Sequence, residues 1–286
     1  MDGQAAPGRD LVHGSLSMTE RSPIPSPSCQ SLSGDESGPP CTSGTLLNGR
    51  VRYAQFAHGH RTGIEPVLLA ASVPARVGET VLEAGCGAAA GLLCLGWRVP
   101  GVMGVGVEYD PATASLARAN LTANPFRGLR LVCADVRDPA LADLASLPSG
   151  RVDHAFANPP WHRAGSSVPP EARRQLARTQ VAGNDIRNWV GAMGRLLRAK
   201  GTLTLAVPAA CVDQAIIAFG QAHIGSVTLM PLWPRDGQAA RLVLVRGRKD
   251  GRGDCQLLSG LVLHCTDGSF TSAVEAILRD GAPLLF

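Results

Sequence analysis

From residue 80 onward, short apolar runs of strand length alternate with longer segments of helical composition. That alternation constrains the fold more than any other feature of the chain. Strands are predicted at Thr80–Ala84, Val102–Glu108, Leu129–Ala134, Val152–Ala157, Thr202–Val207, Ser226–Leu232 and Ala240–Val245. Helices are predicted near residues 88–98, 111–123, 139–146, 185–199 and 210–222. Apolar strands joined by crossover helices are buried on both faces, which demands a Rossmann-like, doubly wound α/β sheet of seven strands. Local signals agree. Asp110-Pro111 supplies a capping acceptor and a proline at the first helical position, and Asn124-Pro125 stops the same helix. Between the last two strands, Pro231 to Gln238 leave no room for a helix and read as a hairpin connection, so the sheet should close with an antiparallel pair.

The 286 residues, 45% of them hydrophobic, suffice for one sizeable domain with appendages. Residues 1–44 are rich in Ser, Pro and Gly, and are expected to stay disordered because they cannot bury enough apolar surface to offset chain entropy. Met18 is an alternative start. The domain is expected over residues 45–249. A short extension, 250–286, should pack on it and end in a helix running from a capping box at Ser272-x-x-Glu275 to Asp280-Gly281.

The net charge of +4 permits an anionic partner without requiring one. None of the eight cysteines forms a C-x-x-C pair or a Cys/His cluster with zinc spacing, so no metal is expected and a reducing compartment is the simplest reading. No run approaches the ~18–20 apolar residues of a membrane span. The N-terminus lacks the layout of a secretory signal, which points to the cytoplasm.

Val81-Leu82-Glu83-Ala84-Gly85-Cys86-Gly87 leaves a strand and enters a helix. Gly85 and Gly87 suit a tight turn whose backbone approaches a ligand closely. Ala88-Ala89-Ala90 stands where a third glycine is common, which leans away from a dinucleotide fingerprint. Glu108 ends the second strand, 25 positions after Glu83, where a carboxylate accepts hydrogen bonds from ribose hydroxyls. Asp135 follows the third strand. Three acids at the carboxyl ends of three successive strands sit at the edge where open α/β sheets bind ligands.

Asn158-Pro159-Pro160-Trp161 follows the fourth strand. Asn158 offers a neutral side-chain carbonyl and Pro159 a backbone carbonyl, each able to accept one hydrogen of a planar amine. The two prolines stiffen the loop, and Trp161 offers a flat face to a base.

The Glu83–Gly87 turn resembles the first motif of class I methyltransferases, and Asn158–Trp161 resembles their (Asn/Asp)-Pro-Pro-aromatic signature. The resemblance implies S-adenosylmethionine as cofactor, with Glu83 near its amino-acid end, Asp135 at the exocyclic amine of its adenine and Asn158 also among the residues that hold it. With Gly59 to Ala71 and the Leu263-His264-x-x-Asp267-Gly268-Ser269-Phe270-Thr271 stretch, residues from about 46 to 286 resemble the bacterial tRNA adenine-N6 methyltransferases. That family modifies the adenine beside the anticodon of a valine-accepting tRNA. Trp161-His162 is also similar to the form found in guanine-N2 methyltransferases of ribosomal RNA, and protein glutamine methyltransferases share the motif; both remain alternatives. Candidate RNA contacts are Arg163, Arg173, Arg174 and Arg178 after the motif, Arg50 and Arg52 before the domain, and Arg241, Arg246, Arg248 and Lys249 near the hairpin.

Overall fold

A computed structural model describes residues 39–59, 61–147, 152–159, 161 and 186–286. Its first element is an antiparallel hairpin of β1 (Cys41–Leu46) and β2 (Val51–Phe56), with Cys41 opposite Phe56 and Leu46 opposite Val51. Leu47 and Asn48 take positive φ, 48° and 51°, and Gly49 completes the reversal at 89°. Cys41 to Gly44 therefore belong to the fold and not to the disordered tail expected through residue 44. Pairing with β2 satisfies backbone groups that an isolated polar segment would leave to water. Residues 1–38 lie outside the described residues.

The main sheet contains β3 (Thr80–Ala84), β4 (Met103–Glu108), β5 (Leu129–Cys133), β6 (Val152–Ala157), β7 (Leu197–Pro208), β8 (Ile224–Trp233), β9 (Leu242–Lys249), β10 (Gln256–Leu257) and β11 (Leu261–Val262). The order is β10-β8-β9-β7-β6-β3-β4-β5, with β11 also paired to β8. Strands β3 to β7 run parallel, and β9 runs antiparallel between β7 and β8. The seven expected strands form this doubly wound core, and the two short strands after residue 250 lengthen it to nine. The strand order reverses at β3, so the crevice above the carboxyl ends of β3 and β6 is the place for a ligand.

Alternation along the strands fills a layer on each face. In β3, Val81 joins the layer of α1 (Glu65–Ser72), α2 (Ala90–Arg98) and the hairpin, whereas Leu82 and Ala84 join the other. That second layer holds α4 (Leu141–Leu144), α5 (Ile186–Leu196) and α6 (Val212–Gln221). The helix expected over 185–199 stops at Leu196 because β7 begins at Leu197. Helix α3 (Pro111–Thr122) starts as its sequence dictates, with the Asp110 carboxylate accepting from Thr113 N–H at 2.8 Å.

The final helix, α7 (Ser272–Asp280), packs against α1 and ends at left-handed Gly281. Its capping residue is Thr271 and not the expected Ser272. The Thr271 hydroxyl donates to Val262 O at 2.8 Å, and Glu275 turns forward to pair with Arg279, so the capping box does not form.

Two asparagines, Asn120 in α3 and Asn124 just beyond its end, fasten the hairpin. Asn120 Oδ1 accepts from Ala54 N–H (2.8 Å), while its Nδ2 donates to Ala54 O (2.8 Å) and Ala88 O (2.9 Å). Asn124 does the same to Arg52, accepting from its N–H at 3.0 Å and donating to its carbonyl at 2.8 Å. Each amide thus imitates a strand neighbour for β2, and Asn120 also grips the turn after β3. Replacing buried Asn120 with alanine orphans one backbone donor and two acceptors, so urea unfolding should show a loss of about 2–4 kcal/mol. A loss below about 0.5 kcal/mol would contradict this role.

Candidate active site

The Glu83 side chain is 5% exposed and accepts from Leu92 N–H, in the first turn of α2, at 2.7 Å. Gly91 leaves it room: a Cβ there would lie 2.4 Å from Glu83 Oε1 and would force the carboxyl to shift. Burial pushes the Glu83 carboxyl up to about 8, with the Leu92 bond opposing and nearby Glu108 adding to the rise. Gly85 and Gly87 take positive φ, 63° and 55°, as the expected turn requires. Ala89 fills the position of the missing third glycine and adopts the left-handed conformation itself, at φ 69°.

Glu108, the last residue of β4, is oriented by two backbone donors. Gly87 N–H reaches Oε2 at 3.0 Å and Asp110 N–H reaches Oε1 at 2.9 Å. Asp135, two residues beyond β5, is engaged by Arg137 through two guanidinium nitrogens, at 2.5 Å to Oδ2 and 2.9 Å to Oδ1. This pairing holds the Asp135 carboxyl below its usual range. The sheet thus brings all three predicted carboxylates to the carboxyl ends of adjacent strands.

Asn158 follows β6, the neighbour of β3 on its other side. Its side chain is exposed and forms no hydrogen bond among the described residues, while Pro159 is buried. Trp161 is half-buried and donates its indole N–H to Ala206 O in β7 at 2.8 Å, which fixes one edge of the ring. Pro160, Arg163, Arg173, Arg174 and Arg178 lie outside the described residues.

The other basic candidates divide. Arg52, Arg241 and Arg248 are exposed. Arg50 instead donates to Arg279 O at 2.6 Å, pairs with Asp280 at 3.3 Å and lies over Trp97, closing the C-terminal end of α7. Arg246 donates to Ser72 O at 2.8 Å and stacks 3.9 Å from the Phe286 ring centroid, with burial lowering its pKa to about 10. Lys249 donates to Ala222 O beyond α6 at 2.9 Å. These three cations serve helix ends, where carbonyls attract them.

Several residues at the site carry no motif signal. The Trp189 ring of α5 covers Gly85 so closely that a Cβ there would come within 2.8 Å of it. From β2, buried Tyr53 bonds Thr62 Oγ1 at 2.6 Å, and Gln55 accepts from Thr62 N–H at 3.0 Å. Val51, Tyr53 and Gln55 alternate in burial along β2, but only Val51 and Tyr53, either side of Arg52, carried an apolar signal for this wall in the sequence.

These residues fit a nucleoside cofactor carrying a cationic amino group. A Cβ on Gly87 would meet nothing within 4 Å, leaving open space beside the turn. Glu108 keeps acceptor capacity for hydroxyls, and Glu83 offers a buried counter-charge. Among the described residues no three His, Cys, Asp or Glu side chains converge as a metal site, and no helix is long and apolar enough to cross a membrane.

The buried carboxyl gives a pH signature. Unfolded Glu83 titrates near 4.5 and folded Glu83 near 8. Its contribution to stability is complete below 4.5 and is lost as pH rises through 8, because the unfolded chain ionises first. In Glu83→Gln, melting temperature should decline less between pH 5 and 8.5 than in the unsubstituted protein. Parallel declines would contradict the buried, protonated state.

No family model matches the chain. It is 30% identical over 231 residues to the tRNA1(Val) (adenine(37)-N6)-methyltransferase of Aeromonas hydrophila, covering 78% of this chain and 93% of that protein. The same enzyme of Aeromonas salmonicida is 28% identical over the same shares. Among solved structures, a predicted O-methyltransferase from Agrobacterium tumefaciens superposes with a TM-score of 0.64 at 22% identity, over 77% of this chain and 98% of that one, which supports the fold alone. The chain is an S-adenosylmethionine-dependent methyltransferase and belongs to the tRNA1(Val) (adenine(37)-N6)-methyltransferase family.

Proposed function

We propose that this protein transfers a methyl group to N6 of an adenine in tRNA, beside the anticodon, with Asn158 holding the reacting amine. The carrying observation is the exposed Asn158 side chain, without a hydrogen bond among the described residues, at the end of β6, next to the Glu83 strand. The name shared by the relatives supports adenine over the guanine and glutamine alternatives.

An adenine amino nitrogen delocalises its lone pair into the ring and is a poor nucleophile. The Asn158 Oδ1 and the Pro159 carbonyl each accept one amine hydrogen, which draws the nitrogen toward tetrahedral geometry and directs its lone pair. Buried Pro159 fixes this loop. Trp161, anchored through its indole nitrogen, presents a face to the flipped base, and such stacking contributes about 1–3 kcal/mol. Glu83, Gly85, Gly87, Glu108 and Asp135 hold S-adenosylmethionine, which supplies an electrophilic methyl group when bound. Asn158 is neutral and takes no proton, so the amine proton leaves to solvent. Rate enhancement comes mainly from alignment.

Arg163, Arg173 and Arg174 are proposed phosphate contacts. The catalytic domain extends to Lys249, and residues 250–286 brace it. Cys86, Cys94, Cys133, Cys211, Cys255 and Cys265 carry free thiols, which fits work in the cytoplasm.

Asn158→Ala should lower kcat for labelled-methyl transfer to tRNA by about 10²–10³-fold, because one oriented acceptor is lost. Its affinity for S-adenosylmethionine, measured by calorimetry, should stay within about threefold. Retained kcat would overturn the assignment of Asn158.

A further inference from the structure

Helix α3 and strand β5 carry a surface that methyl transfer at Asn158 does not use. Residues 111–134, which span both elements, contain Arg118, Arg127 and Arg130 and no aspartate or glutamate. Residues 39–64, which include the β1–β2 hairpin, likewise hold no acid. The two stretches are neighbours, because Asn120 and Asn124 bond the backbone of β2. Arg52 lies on that strand, and its N–H donates to Asn124 Oδ1 at 3.0 Å.

Where α3 ends and β5 begins, this surface sinks into an open groove of about 540 Å³. Its lining sets Arg118, Arg127 and Arg130 around half-buried Leu121, Phe126 and Leu131. Asn124 is part of the wall, which brings Arg52 to the rim. Arg52, Arg118 and Arg127 are exposed, and none of them makes an ion pair among the described residues. Arg130 donates to Ser146 O at 3.1 Å, a neutral partner that leaves its charge uncompensated. Helix capping does not occupy these cations. Ala123 N–H, Asn124 N–H and the Asn124 amide already meet the carbonyls of Ala119, Leu121 and Asn120. The groove therefore gathers four cations and no carboxylate. Those four equal the whole net charge of the chain, +4, so the remaining charges balance.

Position decides what can lie there. Helix α3 leaves the carboxyl edge of the sheet at Asp110 and returns to the amino edge, where Gly104 N–H of β4 donates to Gly128 O at 2.9 Å. Its 12 residues span about 18 Å, so the groove is remote from the strand ends that hold Glu83 and Asn158. Its ligand is therefore neither the cofactor nor the methylated nucleotide. Arginines without acids suit a chain of phosphates, and the apolar floor suits the sugars between them.

We propose that this groove binds the phosphodiester backbone of the tRNA body, outside the anticodon stem-loop that supplies the target adenine. The proposal rests on the tRNA reading above. Arg118 and Arg127 are the phosphate contacts, with Arg52 and Arg130 beside them. Such contacts orient the whole RNA without reading its sequence, and they make affinity salt-dependent.

The test compares full-length tRNA with an isolated anticodon stem-loop, measuring affinity by fluorescence anisotropy across a salt series. It uses the unsubstituted chain, Arg118→Glu/Arg127→Glu and Arg118→Lys/Arg127→Lys, with S-adenosylmethionine affinity and melting temperature as controls. The unsubstituted protein should bind full-length tRNA about 10-fold or more tighter than the stem-loop. The charge-reversed double variant should lose that preference, and its slope of log affinity against log salt on full-length tRNA should shrink by about 1–2. The conservative double variant should keep most of the preference, because charge is what a phosphate reads. Neither control should change, since both side chains are exposed and unpaired. Equal affinity of the unsubstituted protein for the two RNAs, or unchanged tRNA binding in the charge-reversed variant, would overturn the groove assignment alone. An unsubstituted protein that neither binds nor methylates tRNA would overturn the underlying function as well.

Discussion

Glu83 is buried at the end of β3 with Leu92 N–H as its backbone partner, and the rest of the functional end is arranged around that carboxyl. An ion in this position without an opposing charge is costly, so burial favours the neutral form. Gly91 gives the side chain room, and Gly85 and Gly87 carry the backbone around it. Ala89 accepts a left-handed conformation to complete the turn. The loop is then clamped from outside by Asn120, which bonds Ala88 and β2 together. A cationic ligand beside Glu83 would stabilise the ionised form, linking occupancy of the site to a stored electrostatic cost.

The chemistry divides between charged and neutral groups. Carboxylates on β3, β4 and after β5 gather on one side of the crevice, where they match hydroxyls, an amine and an ammonium. On the other side, after β6, stands a neutral amide, suited to orient a weakly nucleophilic amine without exchanging protons. Helix α5 meets this end through Trp189, which covers the glycine turn.

Much of this was legible because parallel strands buried on both faces must be continuously apolar. Thr80–Ala84 and Val152–Ala157 were bounded correctly to the residue. The acids and Asn158 follow such strands directly, so their place at one edge followed from the topology. The hairpin β1–β2 was hidden for a different reason. Cys41-Thr42-Ser43-Gly44 shares its composition with the Ser/Pro-rich segment before it, although Asn48-Gly49 is itself a turn signal. Arg50, Arg246 and Lys249 show what charge patterning omits: a cation facing a helix-end carbonyl and one facing water look alike in sequence. The Ser272-x-x-Glu275 pattern was displaced by one residue because Thr271 became the cap, and its hydroxyl had a better acceptor in Val262. Asn120 and Trp189 act through tertiary contacts that no local pattern encodes.

The central claim is methyl transfer to adenine N6 in tRNA, and nucleoside mass spectrometry tests it most directly. tRNA from cells lacking this gene would be incubated with the purified protein and methyl-deuterated S-adenosylmethionine, then digested and mapped. The account predicts deuterated N6-methyladenosine in the fragment that carries the anticodon loop. Label in N2-methylguanosine, in protein glutamine, or in no nucleoside at all would contradict it.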